Sequence, residues 1–332
     1  MRTWRRICAP FGKTARMRSS RLLHLLLIGT LGLAACEREG GLAAGGSDDE
    51  RTGRIRVKLT DAALDDADVK TVYVTVTGVT LDGERLDNLS ERRTVDISNY
   101  TAGRTIQYGN DQRVRTGVYD DLTLTFDLER DATGDVPGAY VERHDGARAP
   151  LGFGPRELSV AVPGDFEVRA DEVTELGVDL DLRRAVGYRD GGGYTFGGAE
   201  ALRRSLRVVE ETRSGSVDGT VVRHAATAPT NGARVVYAFP RGAVTPAALR
   251  AGDFAASVTS ARVNGAGRFR LSYLPAGRYE LVAVDYADTD GDGRLDLSGA
   301  IASDGEVGAD LRAVTISARA KTVIELQLGD RL

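Results

Sequence analysis

Leu122-Thr123-Leu124-Thr125-Phe126-Asp127-Leu128 alternates apolar and polar residues at every step, and this period of two decides the fold class. Successive side chains of a strand point to opposite faces, so the segment reads as a half-buried strand with one dry and one wet side. Arg54-Ile55-Arg56-Val57-Lys58-Leu59, Val72-Tyr73-Val74-Thr75-Val76-Thr77 and Leu176-Gly177-Val178-Asp179-Leu180-Asp181-Leu182 read the same way. Turn signals punctuate them at Leu81-Asp82-Gly83, Gly109-Asn110-Asp111 and Gly191-Gly192-Gly193. Helical periodicity is scarce, and residues 245–250, opened by Thr245-Pro246, form the best short candidate. Many strands with regular turns predict an all-β protein built of β-sandwiches. The alternation breaks at Arg213-Ser214-Gly215-Ser216 and restarts at Val217. The expected division is therefore two β-sandwich domains, residues 53–212 and 213–332, each of ordinary domain size.

Upstream of the first strand the pattern changes. Residues 22–33 are an apolar run interrupted by His24, Gly29, Thr30 and Gly32. Together with Ala34 and Ala35 the run is too short for the roughly 20 residues that span a bilayer, and it has the size of a signal-peptide core. Arg2, Arg5, Arg6, Lys13, Arg16, Arg18 and Arg21 precede it without one acid, as in the cationic start of such a signal. Either Met1 or Met17 serves as the start, and Arg5-Arg6 leaves twin-arginine export open. The run closes at Leu33-Ala34-Ala35-Cys36, which resembles the lipobox at which bacterial lipoprotein precursors are cut. The resemblance implies a lipoprotein signal peptide over residues 1–35 and lipidation of Cys36 with more than one acyl chain, such as palmitate, giving a durable anchor. Membrane lipid through Cys36 is then the first expected partner. Glu37 stands where the lipoprotein family often has an Asp that favours inner-membrane retention, so the outer membrane or cell surface is the expected location. Residues 36–52, rich in Gly, Ala and acids, read as a flexible tether that keeps the body within about 20–25 Å of the membrane.

Removing the signal changes what chemistry is available. It takes 7 of the 44 Lys and Arg and none of the 48 Asp and Glu, leaving 37 cations against 48 acids, a net charge of −11. A chain this acidic makes a poor nucleic-acid binder. Both methionines, the tryptophan, Cys8 and His24 leave as well. What remains has one cysteine and the distant His144 and His224, so neither a disulfide framework nor a Cys/His zinc cluster is available.

Two family resemblances follow. Gly53-Arg54-Ile55-Arg56-Val57-Lys58-Leu59-Thr60-Asp61-Ala62, the long strand over residues 69–79, Gly117-Val118-Tyr119 and Val178-Asp179-Leu180-Asp181-Leu182 resemble an uncharacterised bacterial lipoprotein domain family that opens with a Leu-Thr-Asp-Ala-Pro strand. Ala63 departs from it where the family has proline. Gly267-Arg268-Phe269-Arg270-Leu271-Ser272-Tyr273-Leu274-Pro275-Ala276-Gly277-Arg278-Tyr279-Glu280-Leu281-Val282-Ala283 is similar to the transthyretin-like fold of carboxypeptidase regulatory domains. That likeness implies two antiparallel strands joined by the Leu-Pro-Ala-Gly turn, with Pro275 fixing φ and Gly277 free to adopt φ above zero. It implies a structural or binding module; it does not imply peptidase activity, and no zinc-ligand motif such as His-x-x-Glu occurs.

The sharpest chemical spacing is Asp288-Thr289-Asp290-Gly291-Asp292-Gly293-Arg294-Leu295-Asp296. Carboxylates at positions one, three, five and nine, a glycine at six and the Arg294 carbonyl at seven reproduce most of a calcium loop. Gly299 stands where an EF-hand has its bidentate glutamate, with Asp304 or Glu306 as possible distal ligands. The expected cofactor is one structural calcium at Asp288, Asp290, Asp292, Arg294 and Asp296; the plain alternative is a solvated Asp/Gly hairpin. Asp61 with Asp65 and Asp66 reads as a capping residue beside solvated acids, or as a cation site. Asp179 and Asp181, two apart in a strand, are expected on a common solvent face, and His144 and His224 in loops.

No catalytic residue emerges, and no enzyme is expected. The reading is a lipid-anchored cell-envelope binding or structural module with an envelope protein or glycan as partner. The rivals are a surface-polysaccharide hydrolase working through paired carboxylates such as Asp120-Asp121, and an accessory subunit of an outer-membrane complex. Cys36→Ala is expected to abolish incorporation of labelled fatty acid into the protein; label retained in the variant would overturn the anchor.

Overall fold

The computed structural model describes residues 51–62, 66, 69–152, 155–189, 193–222, 232–291, 295–303 and 314–331. Cys36 and its flanks, Asp65, His224, Asp292, Arg294, Asp304 and Glu306 lie outside them. In chain order the first part contains β1 (Thr52–Ala62), β2 (Val69–Leu81), β3 (Glu84–Arg85), β4 (Arg93–Asp96), β5 (Ile106–Arg115), β6 (Gly117–Asp127), β7 (Tyr140–Arg143), β8 (Arg148–Pro150), β9 (Glu157–Val168), β10 (Val173–Asp181), α1 (Leu182–Ala185), β11 (Val186–Arg189), β12 (Gly193–Phe196), α2 (Ala199–Ser205) and β13 (Leu206–Glu210). The second contains β14 (Ser214–Val222), β15 (Gly232–Pro240), α3 (Pro246–Arg250), β16 (Thr259–Arg262), β17 (Arg268–Pro275), β18 (Gly277–Ala287), β19 (Asp296–Ser303), β20 (Val314–Ile316) and β21 (Lys321–Arg331). The protein is an all-β sandwich structure, and among the described residues no helix is long and apolar enough to cross a membrane.

One sheet of the first part runs β13-β10-β1-β5, and the facing sheet runs β8-β7-β2-β6-β9 with β3 and β4 also on β2. β1 pairs in parallel with β10 and antiparallel with β5. Ile55, Val57 and Leu59 of β1 and Leu176, Val178 and Leu180 of β10 enter a common core with Val72, Val74 and Val76 of β2 and Leu122, Leu124 and Phe126 of β6. These are the alternate residues of the strands read from the sequence, and each contributes roughly 1.5–3 kcal/mol on full burial. The Asp82-Gly83 turn takes positive φ at both residues, 49° and 78°, which matches the right-handed twist of the flanking strands. Gly109 does not lie in a turn. β5 passes through it with φ of 66°, where pairing with β1 shifts register, and an added Cβ would meet the Asn88 carbonyl oxygen at 2.3 Å.

The second part is a curled sheet ordered β16-β15-β18-β19-β21-β14-β17, with β20 on β18. Its two ends, β16 and β17, approach each other and enclose a core of Val217, Phe269 and Leu271 against Val236, Leu281 and Ala283. The opposite face of β15 and β18, with Val235, Tyr237, Phe239, Val282 and Val284, is covered by Leu249 of α3 and by Phe254. The α3 helix forms where the sequence places it, Thr245 capping it by accepting from the Ala248 N–H. Arg234 and Asp285 are cross-strand partners and form a buried bidentate pair at 2.6 and 2.9 Å.

The Leu-Pro-Ala-Gly segment is a corner and not a hairpin turn. β17 pairs with β14, whereas β18 pairs with β15, β19 and β20, so the chain leaves one layer at Pro275 and enters the other at Gly277. Positive φ falls on Tyr273, at 55°, and not on Gly277. The Tyr273 ring lies against Gly177 of β10, where an added Cβ would come within 2.5 Å of the ring. Gly177→Ala is therefore expected to lower stability by about 1–3 kcal/mol through overpacking, read as a lower melting temperature. Gly187→Ala, whose Cβ meets nothing nearer than 3.8 Å, serves as the silent control.

Candidate functional site

The outward face of β1 and β10 changes character along its length. Its first half carries a charged ladder in which Arg56 donates to Asp111 and Glu175, and Lys58 donates to Glu175 and Glu211, at 2.6–2.8 Å. Beyond Lys58 on β1, and from Leu176 on β10, every residue is buried. Residues of the second part, among them Tyr273 and Thr259, cover this half. Asp179 and Asp181 consequently do not share a solvent face; they are 5% and 8% exposed. Strand alternation identifies the side on which an acid stands, and here that side is roofed by another part of the chain.

Each buried acid has specific partners. Asp179 Oδ2 accepts from Arg207 Nε and Nη2 at 2.9 and 2.6 Å, and the same guanidinium donates through Nη1 to the Tyr273 carbonyl at 2.5 Å. Asp181 caps α1 by accepting from the Arg183 N–H at 3.1 Å, and its Oδ2 lies 3.3 Å from Arg184 Nε. Asp61 Oδ1 accepts from the Leu182 N–H at 3.3 Å, so Asp61 serves a helix that lies 121 residues further along the chain. Its Oδ2 is buried without a hydrogen-bond partner, as is Ser272 Oγ. Both residues line a cavity of about 10 Å³ with Thr60, Asp179 and Ser260, polar and about large enough for one water. Burial, then the charges of Asp179 and Asp181, pushes the Asp61 carboxyl well above the usual carboxylate range.

From α1 two arginines reach the second sandwich. Arg183 Nη2 donates to Ser260 Oγ, and its guanidinium stands 5.4 Å from the Tyr237 ring centroid. Arg184 Nη2 donates to the Phe254 and Ala255 carbonyls at 3.3 and 3.1 Å, and to Ser257. Around them opens a groove of about 670 Å³, within the range of ligand sites. Phe254 stacks on Tyr237 at 4.6 Å, and the Tyr237 and Tyr286 hydroxyls meet at 2.6 Å. Across the groove Tyr188 stands edge-on to Tyr194 at 5.5 Å, and the Tyr194 hydroxyl donates to Asp66 at 3.0 Å. Tyr188 is 43% exposed, which leaves its ring open to a ligand. Five of the chain's 19 Tyr and Phe residues line this one groove. The sequence pattern did not single them out, because 98 residues separate Tyr188 from Tyr286; the only local sign is Leu182-Arg183-Arg184-Ala185, where alternation stops.

The Asp288–Asp296 stretch adjoins the groove through Tyr286 and Leu295. It joins β18 to β19. Asp288 Oδ1 accepts from the Gly291 N–H at 2.7 Å, Gly291 has φ of 80°, and Thr289 donates to Asp296 at 2.8 Å. Asp288, Asp290 and Asp296 thus lie on one loop, and among the described residues no three acidic, histidine or cysteine side chains converge as a metal centre. Asp120 is exposed at a bulge in β6, and His144 is exposed in a turn.

Residues 52–197 match the family model described as a domain of unknown function, DUF4382. No curated protein matches the chain. Similar solved structures include the TIE protein of Bacillus anthracis (11% identity, 84% of this chain and 34% of that one, TM-score 0.20). Others are the major pilin subunit BcpA of Bacillus cereus (11%, 84% and 70%, 0.20) and the minor pilin GBS52 of Streptococcus agalactiae (12%, 83% and 96%, 0.19). The chain spans about a third of the length of the TIE protein.

Because burial raises the Asp61 carboxyl, the folded chain holds that proton more tightly than the unfolded chain does. The resulting stabilisation is complete below the ordinary carboxylate range and is lost as pH rises through the folded-state value. Asp181, raised first by burial, acts in the same direction. Asp61→Asn is expected to gain stability relative to the wild type as pH rises from about 4 to about 8, measured by urea unfolding across that range. A difference that stays constant with pH would show that Asp61 does not titrate in this way.

Proposed function

We propose that the chain is a lipid-anchored cell-envelope module that binds through the groove at the junction of its two sandwiches. That groove, lined by aromatic rings and by charged groups contributed from both sandwiches, is the observation that carries the reading. The tether from Cys36 would hold it close to the membrane, at the outer membrane or the cell surface. The first sandwich is taken as the lipoprotein-type domain and the second as a carboxypeptidase-regulatory-like module. An active hydrolase is not proposed, since Asp179 is engaged by Arg207, and Asp181 by Arg184 and the start of α1.

Calcium fits the loop beside the groove as a structural cation. The carboxylates of Asp288, Asp290, Asp292 and Asp296 and the carbonyl of Arg294 would hold it. Gly291, at position four, takes φ of 80°, and the glycine such loops require at position six is Gly293, outside the described residues. Binding would order the β18–β19 connection and so fix the wall formed by Tyr286 and Leu295. With Kd on the order of 10⁻³ M, about 10 mM calcium adds roughly 1.4 kcal/mol, an increase of about 2–4 °C in melting temperature over a chelator control. No shift, or the same shift in Asp290→Ala, would remove the cation from the account.

A further inference from the structure

We propose that the junction groove binds a neutral saccharide, an assignment that rests on the reading of the chain as an envelope binding module. Two features of the lining select this chemistry. The first is aromatic surface contributed from two sides: Phe254, which stacks on the buried Tyr237, on one side, and the exposed ring of Tyr188 set edge-on to Tyr194 on the other. The apolar face of a sugar ring packs on such rings, which also keep the polar edge of the ligand wet. The second is a balanced set of charged groups. Arg183, Arg184 and Arg204 face Asp66, Asp181 and Asp253, with no lysine in the lining. Arg183, Arg184 and Asp181 are held by partners within the protein, so the exposed Arg204 and Asp253 supply the donors and acceptors, and sugar hydroxyls donate and accept at once.

The same balance argues against other ligands. Three cations against three acids give no net field to draw a phosphate or an ammonium group, and Arg184 is already committed to Asp181 and to the 254–257 loop. A purely apolar ligand would strand the charged groups without water. The volume of about 670 Å³ and the 43% exposure of Tyr188 suit one end or a short stretch of a glycan.

The test uses the full chain against immobilised neutral hexose and N-acetylhexosamine oligosaccharides, with sulfated and sialylated ones in parallel. Tyr188→Ala and Arg204→Ala remove exposed side chains and are expected to keep the wild-type melting temperature while weakening neutral-saccharide binding at least about tenfold. Binding confined to the acidic glycans, no binding to any neutral one, or binding unchanged in both variants would overturn the assignment. Retention of envelope fractions separates this from the broader reading. Retention that survives periodate oxidation but is lost in Tyr188→Ala removes the saccharide and keeps the groove; retention indifferent to both removes the groove as well.

Discussion

The guanidinium of Arg207 ties the two parts of the chain together, alongside the contacts made by Arg183 and Arg184. It lies on β13 of the first sandwich, takes Asp179 of β10 with two of its nitrogens and reaches the Tyr273 carbonyl of the second sandwich with a third. A carboxylate as buried as Asp179 is tolerated only with a partner of this kind, since removing one member of a buried pair typically costs about 3–5 kcal/mol. The partner also holds the Ser272 and Tyr273 carbonyls of β17, beside the point where the Tyr273 ring lies on Gly177. Arg184 of α1 holds the loop at residues 254–257 in the same junction. The walls of the groove come from β11 and β12 on one side and from β15, β18 and the loop after α3 on the other, so its shape depends on a junction that holds still.

Much of the architecture is legible in local pattern. Alternation locates β1, β2, β6 and β10, because a half-buried strand has to alternate. Thr245-Pro246 locates α3, because capping and a fixed φ are local properties. Legibility ends where a second layer intervenes. Asp179 and Asp181 obey the alternation, yet the side they occupy is covered by distant residues, of which Thr259, 80 positions from Asp179, is one. Leu274-Pro275-Ala276-Gly277 looks like a hairpin because its residues suit a reversal; which strand each flank pairs with is settled by the whole sheet. Gly109 illustrates the same limit, since a residue suited to positive φ serves a bulge as readily as a turn.

The groove was hidden for a further reason. Four of its five aromatic residues fall on strands and Phe254 on the loop after α3, and Tyr237 and Tyr286 read as ordinary strand residues until α3 and Phe254 cover one side of β15 and β18. The acidic spacing from Asp288 to Asp296 is visible in the sequence because its carboxylates fall within nine residues of one connection. A groove assembled from distant segments leaves little local trace, here the pair Arg183-Arg184 after Leu182.

The parallel pairing of β1 with β10 bears on mechanics. Nine register pairs, from Arg54 with Val173 to Ala62 with Asp181, run side by side, and β5 flanks β1 on its other edge. A pull applied at Thr52, the first residue of β1, acts along that strand and loads those ladder bonds together in shear; it does not peel them one at a time. The lifetime of the pairing under such a load is set by the rate at which the whole ladder slips.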